Sequence, residues 1–226
     1  MNKVIFIAAD PKHRGFMAAQ FEYTTQHGGM NKAQLNIDHE INKGNVALAV
    51  WYNGKSHPFM SSMNTGQIYI RGHGMPGFVS IEMARGGERI HYTDVVDRMI
   101  KSGLKKAFGG DIKCYNCHSA ENGVPGDDPE IEDGTPFAQY IADELYNRGY
   151  KSCRIFGYTD AIDSNPKSAA SVAMPGEVLH KYRRGKGGAG NYGRASSGRV
   201  EFVGRPKPAK PKKPNIFQQL WKHLSK

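Results

Sequence analysis

The feature that most constrains this chain is an alternation. Short runs rich in apolar and β-branched residues, Lys3–Ala9, Asn45–Tyr52, Gln67–Arg71, Asp111–Asn116 and Ser152–Tyr158, are separated by longer segments, two of which carry clear helical spacing. In the first of these, Thr93 is placed to cap a helix whose stripe is Val95, Val96, Met99, Ile100 and Leu104. Asp94 and Asp97 stand near its start, Lys101, Lys105 and Lys106 near its end, and Gly109-Gly110 beyond it. In the second, Thr135 caps, Pro136 opens, Phe137, Tyr140, Ile141 and Leu145 form the stripe, and Gly149 ends it. Phe16, Met17, Gln20 and Phe21 fit one face of a further helix, and Arg199–Val203 reads as a last strand. Strands alternating with helices predict an α/β fold, a mostly parallel sheet with crossover connections. In such sheets ligands bind beyond the carboxyl ends of the strands.

Composition narrows the class. Of 226 residues, 38% are hydrophobic and 23% charged, as in soluble globular proteins. The longest apolar runs, Val4–Ala9 and Val46–Tyr52, are too short to span a bilayer. The opening MNKVIFIAAD reads as a strand, not as a secretory signal, which predicts a cytoplasmic protein or one exported by a route without a classical signal. Three cysteines, Cys114, Cys117 and Cys153, are too few for a disulfide scaffold and suit free thiols. The net charge of +10 is concentrated at one end: residues 1–176 hold 18 Lys/Arg against 19 Asp/Glu, and residues 177–226 hold 13 against 2. Residues 205–214 (RPKPAKPKKP) form a stiff basic linker. Ile216, Phe217, Leu220, Trp221 and Leu224 then make one face of a short helix, so the expected division is a domain over 1–204 and an appendage over 205–226.

Two motifs fall where the parallel-sheet rule puts a site. Gln67–Arg71 runs into Gly72-His73-Gly74, and Asp111–Asn116 runs into Cys117-His118-Ser119. If the two strands are neighbours, an imidazole and a thiol share one sheet edge, the base-plus-nucleophile arrangement that thiol catalysis needs. The backbone N–H groups of Gly74 and Cys117 would bind the oxyanion of a tetrahedral intermediate. Arg71, Tyr115, Asn116, Asp127 and Asp128 are candidates for substrate contact, the last two in an acidic, turn-rich loop, Glu121–Asp133.

The pair of motifs resembles the caspase-like-fold cysteine peptidases, a group that includes caspases, metacaspases, clostripain-like enzymes and the autoprocessing domains of bacterial toxins. Gly72-His73-Gly74 is similar to the Ser-Gly-His-Gly of metacaspases, and Asn116-Cys117-His118-Ser119-Ala120 to their Ser-Cys-His-Ser-Gly; the separation of 44 residues is also similar. The resemblance covers about residues 45–160. It implies a three-layer sandwich, a cysteine endopeptidase with Cys117 as nucleophile and His73 as general base, a protein substrate or the chain itself, and no required cofactor. It also implies activation by calcium or by an inositol polyphosphate. One departure matters: metacaspases carry Asp two positions before the nucleophile, and this chain has Tyr115. A preference for Arg or Lys at P1 is therefore not implied.

Rival readings start from the same residues. Cys114-Tyr115-Asn116-Cys117-His118 is a CxxCH string, the pattern of covalent haem attachment, and the three side chains could contribute to a zinc site. The basic C-terminal segment suits a non-catalytic protein that contacts nucleic acid or anionic membrane. A host-directed effector, a toxin module and an intracellular enzyme are all compatible with the sequence.

Overall fold

A computed structural model describes residues 1–9, 32–83, 87–163, 180–184 and 193–207. The helical face expected at Phe16–Phe21, the basic linker from residue 208 and the terminal helix lie outside the described residues. In chain order the elements are β1 (Asn2–Ile7), α1 (Lys32–Ile41), β2 (Val46–Trp51), α2 (Pro58–Ser62), β3 (Gln67–Arg71), β4 (Ser80–Glu82), β5 (Arg89–His91), α3 (Tyr92–Lys101), β6 (Asp111–Tyr115), α4 (Phe137–Asn147), β7 (Arg154–Tyr158), β8 (Ala161–Ile162), β9 (Arg183–Arg184) and β10 (Arg199–Phe202). Six strands form one sheet in the order β2-β1-β3-β6-β7-β10. The first five run parallel, and β10 pairs antiparallel with β7. Two small antiparallel pairs, β4–β5 and β8–β9, stand beside it.

Register divides the sheet into two unlike faces. Val4, Ile68, Ile112 and Ile155 form one row, and Phe6, Ile70 and Cys114 the next on the same face. All seven are essentially inaccessible and share a core with Val95, Val96 and Met99 of α3 and Phe137, Ile141 and Leu145 of α4. Rows on the opposite face mix types: Ile5, Tyr69, Lys113 and Phe156, then Ile7, Arg71 and Tyr115. Here α1 packs, anchored by the Lys3 ammonium on the Glu40 carboxylate at 2.5 Å. Helices on both faces of a mostly parallel sheet make the molecule an α/β three-layer sandwich. Among the described residues no helix is long and apolar enough to cross a membrane.

Helix boundaries differ from the sequence pattern for local reasons. β5 runs directly into α3, so His91 is the capping residue: its backbone is extended and its Nδ1 accepts from Thr93 N at 3.4 Å. The Thr93 hydroxyl meets the same ring nitrogen at 2.8 Å. Helix α3 stops at Lys101 and not at Gly109, because Gly103 takes a φ of +109° and packs where a side chain would strike Ser61 Oγ. Pro136 occupies the cap of α4, one residue later than the pattern suggested, while Thr135 N donates to Asp133 Oδ1 at 2.9 Å. Beyond β10 the chain stays docked on α4. Arg205 grips Asp143 with contacts of 2.7 and 3.1 Å, and Lys207 Nζ lies 3.3 Å from Glu144. The docked chain thus extends past residue 204.

Ile70 is buried at the middle of β3 on the apolar face. Ile70→Ala is expected to lower the free energy of unfolding by about 2–5 kcal/mol. Val200→Ala, 40% exposed on β10, is expected to change it by no more than about 0.5 kcal/mol. Urea unfolding followed by circular dichroism checks both, and equal losses would contradict the face assignment.

Candidate active site

β3 and β6 are hydrogen-bonded neighbours, with Arg71 opposite Tyr115 in the last register pair. His73 and Cys117 each lie two residues beyond that pair. A parallel ladder therefore delivers both to the carboxyl edge of the sheet. Their loops also touch. A Cβ on Gly74 would fall within 2.6 Å of Cys117 O and closer still to Asn116 Nδ2. Only glycine permits this approach, which is the physical use of the residue after His73.

Each loop has its own brace. His73 exchanges two backbone hydrogen bonds with Glu82 of β4, at 2.7 and 3.0 Å. The β4–β5 hairpin is in turn strapped by the acidic loop: Val79 N donates to Glu130 O at 3.0 Å, the Ser80 hydroxyl donates to the Glu130 carboxylate, and Gly77 N donates to Glu121 O at 3.0 Å. On the other side, Ser119 is fully buried. Its hydroxyl donates to Cys114 O at 2.7 Å and accepts from Tyr158 N at 2.9 Å, tying the turn after Cys117 to β6 and β7 at once. The residues in left-handed backbone that are not glycine, among those described, are His118 (φ 58°) and Asp160 (φ 63°). They are joined by His118 N donating to Asp160 O at 3.0 Å. Such backbone costs roughly 1–3 kcal/mol per residue and gathers at functional sites. His118 turns its Nδ1 toward Glu121 Oε2 at 3.1 Å, which gives this imidazole a structural partner.

The Cys117 thiol is half-buried and faces β8. Ile162 N donates to Sγ at 3.4 Å, and Ile162 O lies 3.9 Å from it. Burial raises the thiol above its ordinary pKa, while the Ile162 N–H and the Arg71 guanidinium pull it partly back. Arg71 and Tyr115, both 4% exposed, stand beneath the site with the guanidinium 4.9 Å from the ring centre. Their burial makes them a floor beneath the thiol. Asp127 is exposed in the acidic loop, and Asp128 accepts Glu130 N at 2.9 Å within it. Among the described residues no group of three His, Cys, Asp or Glu is spaced to hold a metal ion. Cys114 is sealed in the core under α3 and α4, and burial pushes its thiol far up. Cys117 packs instead against the Tyr115–Tyr158–Ile162 cluster. The CxxCH string therefore does not converge on one point. The N–H groups of Gly74 and Cys117 make no backbone hydrogen bond among the described residues.

A second feature was not anticipated as a cavity. On the mixed face of the sheet a pocket of about 200 Å³ is lined by Lys43, Lys113, Lys181, Arg194 and Arg199, by His39 and His180, and by Tyr69, Tyr115 and Tyr158, with Glu40 as its one carboxylate. Burial lowers Lys113 to about 8, against the pull of Asp111, and lowers His39 to about 4, helped by Lys43. Lys181 is driven well below the usual lysine range by burial and then by Arg71. Its ammonium lies 4.5 Å from the Tyr115 ring centre and 5.8 Å from that of Tyr69. The signal in the sequence was the alternation of Tyr69 and Lys113 with core residues. Lys43, just past α1, and the cations of Lys181, Arg194 and Arg199 become neighbours only in the fold.

Compared with family models, with curated proteins and with solved structures, the chain matches none of them significantly.

The site makes a prediction about the thiol. Alkylation of Cys117 by iodoacetamide should rise with pH through an inflection above the ordinary thiol value, because burial disfavours the thiolate. Arg71→Met should move that inflection higher still. Mass-spectrometric rates over pH 6–10 measure both, and a downward move in the variant would refute the assigned role of the guanidinium.

Proposed function

We propose that the chain is a cysteine peptidase of caspase-like type acting through Cys117 and His73. The observation that carries this reading is the placement of both residues two positions past one register pair of adjacent parallel strands, with the intervening loops in backbone contact at Gly74. In the cycle, Cys117 Sγ gives its proton to His73 and attacks the scissile carbonyl carbon. The oxyanion accepts from Gly74 N–H and Cys117 N–H. Collapse passes the proton from His73 to the leaving amine and leaves a thioester. Water, deprotonated by His73, then releases the acid and restores the thiol. The resting thiol is protonated and held against β8, so the described form is one of low activity.

The basic pocket supports a second part of the reading, activation by an inositol polyphosphate or a compound of like charge. Five Lys/Arg side chains converge there against one carboxylate. Lys181 precedes β9, which pairs with β8, the strand that holds the thiol. An anion drawn to Lys181 would therefore pull on the β8–β9 pair against which Cys117 rests. Support for calcium is weaker, since the carboxylates of Glu130 and Asp133 are already engaged by Ser80, Arg89 and Tyr140.

Two measurements test these parts separately. Cys117→Ala should abolish cleavage of a fluorogenic tetrapeptide library, and His73→Ala should reduce it by at least about 10²-fold. A Cys117→Ala protein that cleaves as well as the parent refutes the peptidase reading. Inositol hexakisphosphate should bind with proton uptake near pH 8–9, because its charge favours the ammonium form of Lys113, whose pKa of about 8 leaves it largely neutral there. Affinity should fall as pH rises through that range, and Lys113→Met should reduce the uptake, leaving the share that Lys181 contributes. Calorimetry in buffers of different ionisation enthalpy reads it, and proton release would contradict the assignment.

A further inference from the structure

Asn116 lies between the last residue of β6 and Cys117, and it is 2% exposed. Neither its amide oxygen nor its amide nitrogen has a hydrogen-bond partner. A buried amide left without partners is less stable than an apolar side chain of the same shape. The amide is not remote from the chemistry: its Nδ2 occupies the space where a side chain on Gly74 would begin. The polar end of Asn116 is thus wedged between the loop that carries the imidazole and the residue that carries the thiol, against the Cα of Gly74. The Gly74 N–H has no backbone acceptor among the described residues, as expected of a donor reserved for an oxyanion.

We infer that Asn116 is a positioning residue for the oxyanion hole. When an acyl group occupies the site, its amide hydrogen-bonds to the backbone of the His73–Gly74 loop and fixes the peptide plane that aims Gly74 N–H at the developing negative charge. The inference rests on the cysteine peptidase reading and adds a function to a side chain which that reading leaves unused. It accounts for a polar group in a place where an apolar one would be more stable: the amide is unsatisfied in the resting form and satisfied as the tetrahedral intermediate forms.

The test needs no knowledge of the natural substrate, because two small reagents separate the steps. Acylation of Cys117 by 4-nitrophenyl acetate passes through a tetrahedral oxyanion. Alkylation by iodoacetamide displaces iodide at a saturated carbon and forms none. Asn116→Leu, which fills a similar volume without a polar group, should slow acylation at least tenfold and change alkylation less than threefold. Its melting temperature should equal or exceed that of the parent. Asn116→Ala serves as a second variant, with the same selective loss expected whatever its effect on stability. Equal effects on the two rates, or no effect on either, would overturn the positioning role while leaving Cys117 a reactive thiol. Absence of any Cys117-dependent acylation in the parent protein would overturn the peptidase reading and this inference together.

Discussion

The pairing of β3 with β6 governs everything that happens at the carboxyl edge of the sheet. Each strand alone ends in a short loop with no fixed relation to the other. The parallel ladder removes that freedom, because a register pair at Arg71 and Tyr115 determines which residues emerge side by side two positions later. The backbone contact at Gly74 then closes the gap between the emerging loops. Neither interaction involves the imidazole or the thiol, so their placement is a property of the scaffold. Reactive groups held on rigid elements need little ordering at the moment of reaction.

The supports around this edge form two systems that meet at Cys117. One runs from His73 through β4 to the acidic loop, and it is made of backbone bonds and the Glu130 carboxylate. The other runs from Cys117 through Ser119, the strained His118–Asp160 link and β8 to the basic pocket. The first binds the His73 loop to the segment that follows Cys117. The second binds the Cys117 turn to the basic pocket. A buried cluster of cations is unfavourable by itself, and the depressed lysines and histidine of the pocket express that cost as lost protons.

Much of the scaffold was legible in the sequence because it depends on local rules. The β-branched runs gave five of the six main strands near their observed limits, and Arg199–Val203 gave the sixth. The helical stripes on either side of Cys117 appeared as α3 and α4. What escaped has a common cause. Helix α1 escaped because its evenly spaced apolar positions, Ala33, Ile37 and Ile41, make only a short period that ends exposed at Ile41, and the helix is held on a mixed sheet face by Lys3 and Glu40. The strands of the β4–β5 and β8–β9 pairs are two or three residues long, too short for alternation to register. For the site, the order strand–His and strand–Cys was readable, and so was Gly74. The burial of Arg71 and Tyr115 was not, because alternation along a strand does not say what covers each face. The pocket was least accessible to inspection. Its cations come from four separated segments, and only the fold makes them neighbours.

The two-sided character of β6 has a consequence for how this chain can vary. Ile112 and Cys114 face the helices, Lys113 and Tyr115 face the pocket, and Cys117 stands a fixed count beyond them. Exchanging one side chain disturbs one face. Adding or losing a single residue inside the strand would drive an ammonium into the hydrocarbon interior and carry the sulfur out of step with its partner loop. This stretch should therefore drift in composition over descent while resisting every change in its length.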